Sequence, residues 1–168
     1  MAERNPNLIS PKTMEAMAST SGSGRELYSE IFTKINNAKD KPKKISILKQ
    51  YDTPNMRMVL KGAFDPKIEW DLPPGIPPYI ANEAPAGTEH TYLELEAKRL
   101  YNFVKGGNNQ LNKIRKETLF IQLLEGLHAD EAKVLIDMKN KTLNKSFKGL
   151  TSEMVKEAFG WNADFVKP

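Results

Sequence analysis

The chain has no cysteine among its 168 residues, which excludes disulfides, thiolate metal sites and thiol nucleophiles together. That absence fits a reducing compartment. Its two histidines, His90 and His128, stand apart, with no second histidine or carboxylate at metal-ligand spacing, so each reads as a capping or surface residue. There is no Gly-x-Ser-x-Gly turn to expose a serine nucleophile. Gly106-Gly107 follows a helical segment and lacks the Lys-Ser/Thr of a phosphate loop. The carboxylate pairs Glu94/Glu96 and Asp130/Glu131 are explained by helix capping. No run approaches the roughly 20 apolar residues of a membrane span, and Met1 to Asn5 lack the apolar core of a signal peptide. No fixed-period repeat is present. These absences predict a cytoplasmic, non-enzymatic protein with no cofactor, no metal and no membrane partner, one that works by binding.

What remains is ordinary globular material. Hydrophobic residues make up 39% and charged residues 27%, enough for one domain with a core and not the balance of a disordered chain. Residues 1–23 are small and polar, ending in Ser19-Thr20-Ser21-Gly22-Ser23, and read as a flexible N-terminal arm. Residues 24–168 then read as a single helical domain. Leu27, Ile31 and Ile35 recur every four residues, widened by Phe32, and predict a first helix over Arg25–Ala38. A short second helix falls at Lys44–Tyr51. Thr53-Pro54 gives an N-cap with proline at the first helical position, opening a third helix that carries Met56, Val59, Leu60 and Phe64.

Residues 65–90 break the pattern. Pro66, Pro73, Pro74, Pro77, Pro78 and Pro85 forbid a long helix, yet Ile68, Trp70, Leu72, Ile76, Tyr79 and Ile80 are too apolar for a free linker. The segment reads as an extended strap lying on the helices. Thr91 and Glu94 have capping-box spacing for a fourth helix. Leu111 to Leu127 mark the longest and most apolar helix, expected at the centre of the core. Another helix opens at Asp130, and Thr151 caps a last one bearing Met154, Val155 and Phe159, with Trp161 and Phe165 packing the C-terminus. The expected fold is all-α: a compact bundle of about six to seven short helices, with the Pro-rich strap between the third and fourth.

Charge adds the functional hint. The net charge is +4 and the pI near 9.1. Six lysines against one acid, Asp40, lie between Lys34 and Lys49. A second run holds Lys139, Lys141, Lys145 and Lys148, with no acid after Asp137 until Glu153. Each run also reads as a plain solvated face. Lys113, Arg115 and Lys116 open the long helix, where cations beside backbone amides suit a phosphate. Such contacts follow a sugar-phosphate backbone without reading bases. Few aromatics accompany them, which argues against single-strand stacking.

The segments Ile31–Ile35, Ile45–Tyr51 and Met58–Pro66, with an Ala63-Phe64-Asp65-Pro66 turn before the strap, resemble the N-terminal DNA-binding domain of phage ATP-dependent DNA ligases. Phe120–Leu127, Asp130-Glu131-Ala132, Lys141-Thr142-Leu143, Gly149-Leu150-Thr151 and Val155–Gly160 resemble its second half, so the likeness spans about residues 25 to 162. More loosely, the chain resembles small uncharacterised proteins of T-even-type marine phages. The ligase likeness implies an all-helical domain that grips duplex DNA by its backbone, in a host cytoplasm. By position it implies contacts from Arg115, Lys116, Lys141, Lys145, Lys148 and Lys156, to which the basic runs add Lys113 and Lys139. Lys139-Asn140-Lys141 departs from the more usual arginine-rich turn. The ligase motif Lys-x-Asp-Gly is missing, so the resemblance implies DNA binding without ligation. The alternative expectation is a phage structural or adaptor protein, docking a protein partner through the N-terminal arm or the strap around Trp70 and Tyr79.

Overall fold

A computed structural model describes residues 26–81 and 91–167. The N-terminal arm, the end of the strap and His90 lie outside the described residues. Among those described there are eight α-helices, one 3-10 helix and no strand, so the class is all-α. The helices are α1 (Tyr28–Asn37), α2 (Lys41–Gln50), α3 (Pro54–Phe64), α4 (Leu93–Glu96), α5 (Lys113–Gly126), α6 (Ala129–Asn140), α7 (Leu143–Ser146) and α8 (Ser152–Phe159), with the 3-10 segment at Ala97–Phe103.

Most starts follow the local chemistry. Asp40 accepts from the Lys43 amide, Thr53 from Met56, Asn112 from Arg115 and Thr151 from Met154, each a side-chain oxygen satisfying a free N–H of the first turn. His128 does the same through Nδ1, accepting from the Asp130 amide. Apolar residues at helical spacing then turn one face inward. Ile31, Phe32 and Ile35 of α1, Met56, Val59 and Leu60 of α3, and Met154, Val155 and Phe159 of α8 are all buried.

Three features depart from the sequence reading. The segment after Thr91 is not one capped helix: the Thr91 hydroxyl donates to Glu96 Oε2 instead of capping, and one α-turn passes straight into the 3-10 helix. The basic stretch after Lys141 contains an extra one-turn helix, α7. The long helix α5 is peripheral, since it buries only Lys116, Phe120 and Leu124 and leaves Ile114 at the surface. The centre belongs to α6, which packs against α1, α3, α5 and α7 and buries Ala132, Val134, Leu135, Ile136 and Met138.

The central helix also carries the fold's deepest charge. Glu131 is 1% exposed. Its Oε2 accepts from the Tyr28 amide at 2.8 Å and its Oε1 from the Leu93 amide at 2.9 Å, the first residues of α1 and α4. Neither helix has a side-chain cap of the ordinary kind; at α1 the local partner is Glu30, which accepts from the Leu27 amide. One carboxylate from α6 therefore satisfies two distant helix starts, where a negative charge also suits both dipoles.

The turn before α5 is set by sterics. A Cβ on Gly107 would stand 1.8 Å from the Tyr101 carbonyl oxygen, and Gly106 has φ of 81°, so this Gly-Gly is a tight return of the chain. Two predictions follow from these contacts. Glu131→Ala leaves two buried N–H groups unpaired at about 1–3 kcal/mol each, so chemical denaturation should show a loss of at least about 2 kcal/mol, with Glu131→Gln losing less. Gly107→Ala should unfold more readily than Gly106→Ala, because only the first meets backbone.

Candidate functional site: the lysine-clamped strap and its basic margins

The strap is held by side chains from α5 and α6 and by a backbone carbonyl of α3. It begins at Asp65, and its first anchor is Trp70. The indole Nε1 donates to the Gly62 carbonyl at 2.9 Å, and the ring lies over Gly62, where a Cβ would come within 3.1 Å of it. The small residue in α3 is thus what admits the aromatic ring. A single antiparallel bridge pairs Trp70 with Val104, through the Lys105 amide to the Glu69 carbonyl and the Asp71 amide to the Phe103 carbonyl, both 2.8 Å. At the far end the Ile80 amide donates to Glu125 Oε2.

Between these points the clamps are lysines. Lys116 Nζ lies 2.7 Å from Asp71 Oδ2, and the pair is mostly enclosed. Lys116 holds the Asp71 carboxyl below its ordinary pKa, with Lys113 and Lys105 adding to the effect and burial opposing it. Lys139, 7% exposed, donates to the Pro73 carbonyl, the Gly75 carbonyl and Asn140 Oδ1, so each ammonium proton has an acceptor. Burial pushes its pKa below the usual lysine value. Lys141 ends α6 in the left-handed conformation, φ 58°. That costs a side-chain-bearing residue about 1–2 kcal/mol. It accompanies a contact that offsets the strain: Nζ reaches the Gly62 and Asp65 carbonyls at 2.8 and 3.0 Å, at the end of α3. A cation at the negative end of a helix dipole is well placed.

The same chemistry recurs away from the strap. Lys44 donates to the Ile35, Asn36 and Ala38 carbonyls at the end of α1. Lys34 pairs with Glu26, and Lys41 with Glu157 at 3.1 Å. Much of the first basic run is therefore occupied in ending and joining helices.

The eight candidate DNA contacts divide accordingly. Lys116 and Lys139 are buried and Lys141 is half-buried, and each ammonium is taken up by carbonyls or a carboxylate of the protein itself, which corrects the expectation that Lys116 and Lys139 stand free to face a ligand. Arg115, Lys145 and Lys148 are exposed and, among the described residues, enter no ion pair. Lys113 is exposed and stands 3.9 Å from Asp71. Lys156 is half-buried, its Nζ 5.1 Å from the centre of the Phe165 ring. The open cleft beside the strap is lined by Glu69, Trp70, Lys139, Lys141, Asn144 and Thr151 among others, so two of the strap's lysines also border it, whereas Lys145 and Lys148 do not. Trp70 and Tyr79 are partly buried and pack against the core. Among the strap's described residues, the exposed large hydrophobics are Ile76, 77%, and Ile80, 81%. Among the described residues no three of His, Asp and Glu gather as metal ligands, and no described helix is long and apolar enough to cross a membrane.

The sequence reading missed Asp71 and Gly62, and it took Glu131 for a cap without the two distant helix starts that it serves. A signal existed for Asp71 and Gly62, since a small residue in an apolar helix followed eight positions later by Trp, next to an acid, allows ring packing and ion pairing. None existed for these contacts of Glu131, because its partners are 38 and 103 residues away.

These features define a class, a small helical domain whose proline-rich strap is clamped by buried lysines. The chain belongs to a family of unknown function, DUF6433, whose model matches residues 31–145. No curated protein matches it, and no solved structure does.

The clamp makes two predictions. Lys139→Met should increase amide exchange at Gly75 and its neighbours while the global melting transition moves by only a few degrees; unchanged exchange at Gly75 would mean the clamp carries no load. Asp71 has a lowered folded-state pKa, so its contribution is present above the ordinary value of 3.8 and is lost as pH falls through the lowered one. The stability gap between wild type and Asp71→Asn should therefore close on acidification, as read by urea denaturation from pH 6 downward.

Proposed function

We propose that the protein is a stand-alone duplex-DNA-binding domain that follows the sugar-phosphate backbone without reading sequence. The observation that carries this reading is what remains of the eight candidates when the structural lysines are set aside: Lys113 and Arg115 on α5 and Lys145 and Lys148 around α7, all exposed, with the half-buried Lys156 on α8. An ion-paired lysine has little to gain from a phosphate, whereas Arg115, Lys145 and Lys148 have no competing acid among the described residues. The resemblance to the ligase DNA-binding domain points the same way, and binding without catalysis is part of this proposal.

One observation favours a second reading. Ile76 and Ile80 stand outward on the strap, on either side of Pro77-Pro78, as a protein-docking module would present them. They form a small, separate patch, so we rank this reading below the first.

Affinity for a random-sequence duplex, measured against salt, separates the two. Each neutralised phosphate adds about −0.9 to the slope of log affinity on log salt, so four or five contacts give a slope of about −4. The double variant Lys113→Ala/Arg115→Ala should flatten that slope by about 2 and leave the melting temperature unchanged. A flat wild-type profile would sink the reading. Lys116→Ala is expected to lower stability instead, because it strands Asp71.

A further inference from the structure

We infer that Ile114 is a wedge that enters the base stack of bound duplex DNA and bends it. The inference rests on the duplex-binding reading above and names how the α5 part of that surface engages its partner. It starts from a residue that the fold does not use. Ile114 is 78% exposed in the first turn of α5, while that helix buries Phe120 and Leu124 on its other side. A β-branched residue brings no helical advantage there either.

Its surroundings are cationic and rigid. Lys113 and Arg115 flank it and are both exposed. Lys105 and Lys113 both lie close enough to Asp71 to lower its pKa, although Lys116 already bonds that carboxylate. The turn carrying Ile114 is fixed at three points. Asn112 Oδ1 accepts from the Arg115 amide at 2.8 Å, Thr118 Oγ1 donates to the Ile114 carbonyl at 3.0 Å, and Lys116 is tied to Asp71 at 2.7 Å. An aliphatic side chain on a stiff base, with cations on either side, matches a partner whose charges are spaced along two edges and whose interior is apolar. A duplex opened at one base step has that form: phosphates on each strand, and apolar base faces between them. Proteins that insert such wedges bend DNA by about 20–90°.

An anionic lipid surface is the other partner that offers charge outside and an apolar interior. It is disfavoured by the rest of the same helix face. Beyond Ile114 the face continues with Thr118 and Gln122, both exposed and polar, whereas an interfacial helix needs an apolar stripe. One isolated aliphatic residue suits a single base step better than a bilayer.

The test uses the full chain and a random-sequence duplex of about 30 base pairs labelled at both ends, with end-to-end energy transfer reporting the bend and anisotropy reporting binding. Wild type should bind with the salt slope given above and bring the ends closer. Ile114→Ala should keep the salt slope and the melting temperature, since the residue is 78% exposed, and should lose the bend. Wild-type binding without a bend, or an equal bend from Ile114→Ala, would overturn the wedge and leave backbone binding standing. Absence of salt-dependent binding by wild type would overturn both. Retention on phosphatidylserine vesicles, abolished by Ile114→Ala, would overturn the wedge in favour of a membrane surface.

Discussion

The Glu131 carboxylate sets the arrangement on which the other contacts depend, because it fixes where α1 and α4 begin relative to α6. Each oxygen takes one amide hydrogen, from Tyr28 and from Leu93, inside a core otherwise made of aliphatic and aromatic side chains. Burying a charge is costly unless its lone pairs are satisfied, and two helix starts supply that satisfaction here. The arrangement is directional in a way that hydrophobic packing is not. Shifting α1 by one residue would keep much apolar contact but would break the bond to Tyr28. With α1 and α4 held, α3 packs on α6, and the groove between their ends becomes the seat of the strap.

Lysine plays the complementary part. Lys44, Lys139 and Lys141 each place an ammonium among backbone carbonyls at the end of a helix or in the strap, and Lys116 adds a carboxylate partner. A strap containing five prolines between Pro66 and Pro78 has few amides to donate, and its own N–H groups tie it to other elements at few points, among them Asp71, Gly75 and Ile80. Its carbonyls remain, and a cation with three donors is the side chain best able to gather them. The lysine-rich composition and the proline-rich strap are two sides of one solution. A basic pI therefore overstates the charge this protein can offer to a partner.

The helices were legible because their signals are local. Thr53-Pro54, Thr151 and the Leu27-Ile31-Ile35 spacing concern residues within one or two turns of one another, and the structure places caps and buried faces there. The all-α class and a strap packed on helices as far as Ala81 follow from the same kind of reading. The roles of charged residues were not legible. Lys139 and Lys145 look alike in sequence, six residues apart in one basic run, yet one is enclosed by the strap and the other faces solvent. What separates them is a strap more than 60 residues earlier in the chain, and no periodicity carries that information. The capping-box reading at Thr91 failed for a related reason: the amide at Leu93 is taken by Glu131 from another helix, which leaves Thr91 to bond Glu96. Ile114 lies in the segment expected at the centre of the core, although the helix that bears it buries only Lys116, Phe120 and Leu124.

The division between structural and available lysines is the centre of this account, and it separates a fold held together by ammonium groups from a surface able to meet a polyanion. Lysine acylation read residue by residue by mass spectrometry, with and without a random duplex, tests it most directly. Lys116, Lys139 and Lys141 should label slowly in either condition. Lys113, Lys145 and Lys148 should label fast when the protein is alone and slow down when the duplex is present. Lys139 and Lys141 labelling as fast as Lys145, or a duplex that leaves Lys113, Lys145 and Lys148 unprotected, would contradict it.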